Sequence, residues 1–213
     1  MKKETLELIE KIKLDLKEIL SEFRYNHSIG VMEKAIELAR IYGEDEDKAA
    51  LAGLTHDIAK EIPNEKAFAF AEKKGIKLDE IERVNTRLLH GKLGAYIVGE
   101  KYGFDKQIQD AIKYHTATFY GMDKLAKIIY VADKIEKTRK PSERMDQWRR
   151  VANEDLDQAI ILIIDYVIGK IIEENGLIYP TIIETRNRIM LDLIQGKKQT
   201  PNQGEGKEEH WLN

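Results

Sequence analysis

Apolar residues recur at three- and four-residue steps through nearly the whole chain, and the two-residue alternation of a half-buried strand is almost absent. That pattern admits amphipathic helices and little else. "HSIGVMEKAIELARIYG" sets Ile29, Met32, Ile36 and Ala39 on one stripe and ends on Gly43, a natural helix stop. "EDEDKAALAGLTHDIAK" opens with acids suited to a helix N-terminus. Pro63 and Gly75 bracket a charged helix over 64–74, and "NTRLLHGKLGAYIVGEKYG" puts Gly91, Gly94 and Ala95 on a face that another helix can approach closely. "DKQIQDAIKYH" carries Ile108, Ala111, Ile112 and His115 on one stripe. Further helices are predicted at the amphipathic N-terminus, over "MDKLAKIIYVADKIEKTR", over 153–174 and over 180–193. The expectation is an all-α fold: a single helical bundle over 1–195 and a disordered tail over 196–213, where the period is lost.

Composition narrows the function classes. Lys and Arg number 35 against 38 Asp and Glu, a net charge of −3, so the basic excess of a nucleic-acid binder is missing and no nucleic-acid partner is expected. With no cysteine there is no disulfide, no thiolate metal site and no cysteine nucleophile, which fits a reducing cytosol. The N-terminus begins with lysines, but charges interrupt its apolar residues too often for a signal peptide. The most apolar stretch, Ala159 to Ile172, contains Asp165 and Lys170 and is too short to span a bilayer. A soluble, cytoplasmic protein without a membrane partner is expected; its oligomeric state is not fixed, and a homodimer stays open.

"LTHDIAK" then raises a chemical question. His56 and Asp57 follow a run with the composition of a buried helix, where polar groups cost free energy unless satisfied. Three more histidines, His27, His90 and His115, also sit beside apolar residues at the predicted helices, and Asp133 follows the apolar run "IIYVA". Each alone reads most simply as a hydrogen-bonded structural residue. Together, four histidines and two aspartates at semi-buried positions suggest one shared centre, because facing helices build metal sites from imidazole and carboxylate. Nitrogen and oxygen ligands without sulfur suit iron, manganese, zinc or magnesium. Neighbouring helical residues point roughly 100° apart, so His56 and Asp57 reach one ion only if it lies at the end of their helix.

The order His27, His56–Asp57, Asp133 resembles that of the HD-domain metal-dependent phosphohydrolases. The segments "RYNHSIGVMEKAIELA", "LAGLTHDIAK", "LLHGKLGAYIV", "AIKYHT", "KIIYVADKIEKTR" and "IYPTIIETRN" resemble more closely the YqeK-type branch, the symmetrical diadenosine tetraphosphate hydrolases, over roughly residues 20 to 190. The chain departs from that pattern where a glycine usually follows the His-Thr pair, here delayed to Gly121, and where Lys134 and Lys137 replace a usual Tyr and Pro.

The resemblance implies an HD-domain bundle that hydrolyses diadenosine tetraphosphate to two ADP with metal-activated water. His27, His56, Asp57 and Asp133 would be the metal ligands, with iron the preferred metal and manganese, zinc or magnesium as alternatives. One ion is expected, with His90 and His115 facing the phosphates; the alternative is that they complete a second site with Asp57 as a bridge. Asp57, His90 and His115 are thus the catalytic candidates. Arg24, Lys60 and Arg139, near ligand positions, are candidate phosphate contacts, although a solvated surface charge is the usual role of such residues. Thr116 is a candidate hydrogen-bond donor to phosphate. Tyr179 in "GLIYPT" is a candidate platform for the base, with an ordinary interhelical turn as its plain alternative. The partner would be a dinucleoside polyphosphate or an ADP-like nucleotide. Two rival readings are an HD enzyme acting on guanosine tetraphosphate or a deoxynucleoside triphosphate, and a non-catalytic nucleotide sensor.

Overall fold

The segment before His56 forms the centre of the molecule. In the computed structural model, which describes residues 1–199, helix α3 (Glu46–Thr55) buries every residue from Ala49 to Thr55. A helix apolar all round belongs inside a bundle, and its small side chains let neighbours approach. Before it come α1 (Lys3–Ile19) and α2 (Glu22–Tyr42); after it come α4 (Asn64–Lys73), α5 (Glu80–Val84), a single 3-10 turn at Thr86–Leu88, α6 (Leu89–Tyr102), α7 (Lys106–Tyr114) and α8 (Lys124–Ile135). The chain closes with α9 (Glu143–Glu154), α10 (Leu156–Glu173) and α11 (Pro180–Gln199), and no strand occurs among the described residues. None of these helices is long and apolar enough to cross a membrane.

Helices α1, α2, α7 and α8 pack around α3, and α6 lies along α7. Glycine sets the two closest approaches. A Cβ at Gly53 would lie 3.0 Å from Met32 Cα on α2. One at Gly91 would lie 2.7 Å from the Lys113 carbonyl on α7, so the small-residue face of α6 is where α7 approaches. Side-chain caps fix the helix starts: Ser21 accepts from Arg24 N, Asp45 from Asp47 N and Lys48 N, Asp105 from Ile108 N, and Asp123 from Ala126 N. Gly43, at φ 63°, ends α2 in the left-handed conformation.

Four expectations need correction. The buried face of α2 centres on Val31, Ala35, Leu38 and Ala39, with Ile29 and Ile36 only partly buried, because α2 packs against both α3 and α8 rather than one neighbour. The helix expected over 153–174 begins only at Leu156. Asp155 leaves the helical conformation and caps α10, while a separate α9 precedes it and buries Trp148 against Tyr166. Helix α8 stops at Ile135, so Arg139 stands in the following turn. Lastly, α11 runs to Gln199 and takes in the first four residues of the expected tail, since lysine and glutamine sustain a helix across Gly196. The remainder of that tail, with His210 and Trp211, lies outside the described residues.

Candidate metal centre

Four histidines reach one point because each sits near the end of a helix directed at it. His56 is the C-cap of α3 and His115 that of α7; His90 is in the first turn of α6, and His27 lies on α2. All four are buried, as are Asp57 and Asp133. Three share one local device. Nδ1–H of His56 donates to Gly53 O (2.8 Å), that of His90 to Arg87 O (2.7 Å) and that of His115 to Ile112 O (2.6 Å), each three residues back. A carbonyl only accepts, so each Nδ1 keeps its proton and each Nε2 presents a lone pair to the centre. His27 uses a carboxylate instead: its Nδ1 donates to Glu136 Oε1 at 3.0 Å.

The Nε2 atoms converge on the two aspartates. His27 Nε2 lies 3.0 Å from Asp133 Oδ1 and 3.3 Å from His56 Nε2, while His56 Nε2 lies 3.7 Å from Asp57 Oδ2 and 3.8 Å from Asp133 Oδ1. Across the Asp57 carboxylate, Oδ1 faces His90 Nε2 at 3.1 Å and His115 Nε2 at 3.4 Å, and those two nitrogens are 3.0 Å apart. Three overlapping trios, each with ligand atoms within 4.8 Å of one another, result: His27, His56 and Asp57; His56, His115 and Asp133; Asp57, His90 and His115.

This donor set fits a cation. Asp57 Oδ1 is buried and accepts no hydrogen bond, although two imidazole nitrogens face it, because their protons are committed on the far side of each ring. Lone pairs converging without a proton between them repel unless a positive charge lies among them. Burial lowers the His56 pKa to about 4 and also lowers those of His90 and His115, keeping them neutral and able to ligate. Burial would lower His27 too, but hydrogen bonds to Asp133 and Glu136 raise it overall. Burial pushes both aspartates up, yet neighbouring positive charge, Lys60 beside Asp57 and Lys134 and Arg139 beside Asp133, holds both carboxyls well below the usual carboxylate range.

Cations rim the centre. Arg24 Nη1 donates to Asp57 Oδ2 at 3.2 Å. Lys60 Nζ lies 3.0 Å from His90 Nε2 and 3.7 Å from Asp57 Oδ1. Arg139 is tied to Asp133, through Oδ1 at 2.7 Å and the backbone carbonyl at 2.6 Å, so it orients that carboxylate instead of pointing freely at solvent. Thr116 and Tyr179 both line a cavity of about 190 Å³ beside His115, and the Tyr179 hydroxyl is bonded to Asp79. A smaller cavity of about 120 Å³ is lined by Lys60, Arg87 and His90.

Sequence reasoning missed two neighbours of the ligands. Lys134, noted only as a departure, pairs with Asp133 Oδ2. Glu136 is fully buried and orients His27; its signal was a glutamate three residues after Asp133, next to the apolar run, where a solvated charge would be out of place.

The HD domain family model matches residues 24–138, the span from Arg24 through Thr138 that carries all six ligand candidates. The chain belongs to the HD domain family. Curated relatives narrow it further. It is 39% identical over 175 residues to the symmetrical bis(5'-nucleosyl)-tetraphosphatase of Halalkalibacterium halodurans, covering 81% of this chain and 92% of that one. It is 38% identical over 173 residues to the Bacillus subtilis protein of the same name, with the same coverage of 81% and 92%. This HD protein is thus a member of the symmetrical bis(5'-nucleosyl)-tetraphosphatase family. Its fold matches a crystal structure from Clostridium acetobutylicum, described as a predicted HD superfamily hydrolase involved in NAD metabolism, with a TM-score of 0.83 and 38% identity over 86% of this chain and 97% of that one. As an HD-domain phosphohydrolase it binds a divalent metal, and the buried histidine–aspartate groups are the candidates to hold it.

Proposed function

We propose that the protein hydrolyses diadenosine tetraphosphate at its central bridge to give two ADP. One divalent ion is held by His27, His56, Asp57 and Asp133. The observation that carries the reading is the set of four imidazoles with Nδ1 protons turned outward and Nε2 atoms turned onto two carboxylates. The bound metal supplies water activation near neutral pH and neutralises charge on the phosphoryl oxygens. The relatives' names supply the substrate.

The side chains around the ion divide the remaining work. Arg24 and Lys60, both part-exposed at the rim, meet phosphate oxygens; swinging onto substrate frees them from Asp57 and His90. Arg139 holds the Asp133 carboxylate in place. Thr116 donates to a phosphate on the His115 side, and Tyr179 stands by the nucleoside. Water adds its oxygen to one central phosphorus, the bridging oxygen leaves with the other ADP, and the excess proton passes to solvent.

His90 and His115 contact phosphate with Lys60, whose ammonium already faces His90 Nε2. A second reading has its own observation. Asp57 Oδ1 faces both histidines, which favours the alternative of a second ion bridged by Asp57. Iron is the metal that the family resemblance favours, and the nitrogen and oxygen set suits manganese, zinc or magnesium as well. Elemental analysis of purified protein, followed by chromatography of the products from diadenosine tetraphosphate, guanosine tetraphosphate and a deoxynucleoside triphosphate, tests the proposal. ADP from the first alone supports it; pyrophosphate or triphosphate from the others supports the rival enzyme class, and binding without turnover supports a sensor.

A further inference from the structure

The outer groove between α6 and α7 gathers lysines. A cavity of about 420 Å³ there is lined by Lys92 and Tyr96 of α6, Lys106 and Lys113 of α7, and Lys77 from the loop after α4. Gly91 meets Lys113 and Gly99 meets Gln109, so the two helices run antiparallel. Lys92 follows His90 by two residues and Lys113 precedes His115 by two. Two residues turn a helix by roughly 200°, so these lysines leave α6 and α7 on the side away from the metal centre. Lys92 and Lys113 form a wall shared with the cavity beside His115, and Lys77 and Lys106 are no part of that second lining. Two of the four charges are neutralised: buried Glu82 pairs with Lys92 at 2.6 Å, and Asp110, the acid of the groove itself, pairs with Lys106. Lys77 and Lys113 have no carboxylate partner among the described residues. The Lys113 ammonium finds only the Tyr114 hydroxyl, 3.1 Å away, and the face of its ring. In a chain of net charge −3 this is a local reversal of sign, and a concave surface of one sign focuses its field on a counter-ion.

We infer that this groove is a second anion site, separate from the metal centre, that takes an oligophosphate, either an inorganic chain or the triphosphate of a nucleotide. Length favours a chain over a single phosphate. Lys106 and Lys113 are seven residues apart and share a face of α7, so their positions are about 10 Å apart along its axis, more than one phosphate bridges. Charge favours it too, since a chain of phosphates meets both unpaired ammonium groups at once, and lysine binds phosphate as a point charge. The chemistry of the groove does not depend on which substrate the metal centre hydrolyses. A bound chain ties the outer sides of α6 and α7 together. Because α6 carries His90 and α7 ends at His115, occupation restrains that pair from behind.

Calorimetry on metal-loaded protein at physiological salt tests the site, with tripolyphosphate supplied as its magnesium complex so that the resident metal stays in place. The wild type binds tripolyphosphate, and the double variant Lys77→Gln with Lys106→Gln binds it about tenfold more weakly, the share of two exposed ion pairs. Metal content and Tm stay at the wild-type level. Lys77→Arg with Lys106→Arg keeps both charges and retains wild-type affinity. Hydrogen exchange in the wild-type complex slows over residues 92–96 and 106–113. Magnesium ATP bound with the same sensitivity to the glutamine variant identifies a nucleotide as the source, and binding of tripolyphosphate alone identifies an inorganic chain. Equal tripolyphosphate affinity in the wild type and the glutamine variant overturns the site, because the anion then binds at the metal centre alone. Absence of binding at physiological salt overturns it as well, since the lysines then attract only a diffuse ion cloud.

Discussion

Gly30→Ala should weaken metal binding without touching any ligand. Gly30 lies one turn after His27 on α2, and a Cβ there would stand 2.4 Å from Glu136 Oε2 and 3.2 Å from its carboxyl carbon. Glu136 has nowhere to retreat. It is fully buried, and it accepts hydrogen bonds from His27 Nδ1 at 3.0 Å, Thr138 N at 2.5 Å and Thr138 Oγ1 at 2.6 Å. Moving it costs the charge-assisted bond to His27, about 1.5–3 kcal/mol, less the roughly 1 kcal/mol that alanine gains over glycine inside a helix. The net destabilisation is about 0.5–2 kcal/mol, or a fall in Tm of roughly 1–8 °C for a chain of this size. Loss of a carboxylate orienting a metal-bound histidine also costs roughly 10–100-fold in metal affinity. Chelator competition measures that affinity and calorimetry the Tm. A Gly30→Ala protein that holds its metal within twofold of wild type would refute the role given to Glu136.

Further outcomes follow from the same geometry. His90→Ala and His115→Ala should lower turnover by one or more orders of magnitude while leaving the tightly held ion in place; if wild type carries two ions per chain and either substitution removes one, the centre is dinuclear. Gly91→Ala should separate α6 from α7, because its methyl would meet the Lys113 carbonyl at 2.7 Å; turnover falls more than metal content does, and equal losses would contradict the separation of roles. Acid should destabilise the protein stripped of metal. The folded His56 pKa of about 4 lies below its ordinary 6.5, so the unfolded chain takes up the proton first, and stability present above pH 6.5 is lost as pH falls toward 4. By pH 5 the loss from His56 is about 2 kcal/mol, with His90 and His115 acting in the same sense and His27 in the opposite one. Urea unfolding with equal midpoints at pH 7.5 and pH 5 would rule this out.

Much of the site was legible in the sequence because its residues stand out chemically. Histidines beside apolar runs have few plausible uses, and the His56–Asp57 pair required a centre at the end of its helix, which is where α3 stops. Gly91 and Gly94 signalled a close approach, and that approach brings His90 to His115. What depended on irregular backbone was not legible. The turn after Ile135 bends Arg139 back onto Asp133, a contact no helical period forecasts. The two oxygens of Asp57 face different histidine pairs, and spacing alone could not apportion them. Helix boundaries shifted where one polar residue decided them, as Asp155 does between α9 and α10.

The most direct test of the account is the position of bond cleavage. Metal-loaded protein is incubated with diadenosine tetraphosphate in water enriched in oxygen-18, and the nucleotides are separated and weighed by mass spectrometry. The account predicts ADP as the only nucleotide product, with one solvent oxygen on the terminal phosphate of every second ADP and no turnover after the metal is removed. AMP with ATP, or turnover that survives complete removal of metal from a protein still able to rebind it, would contradict the account.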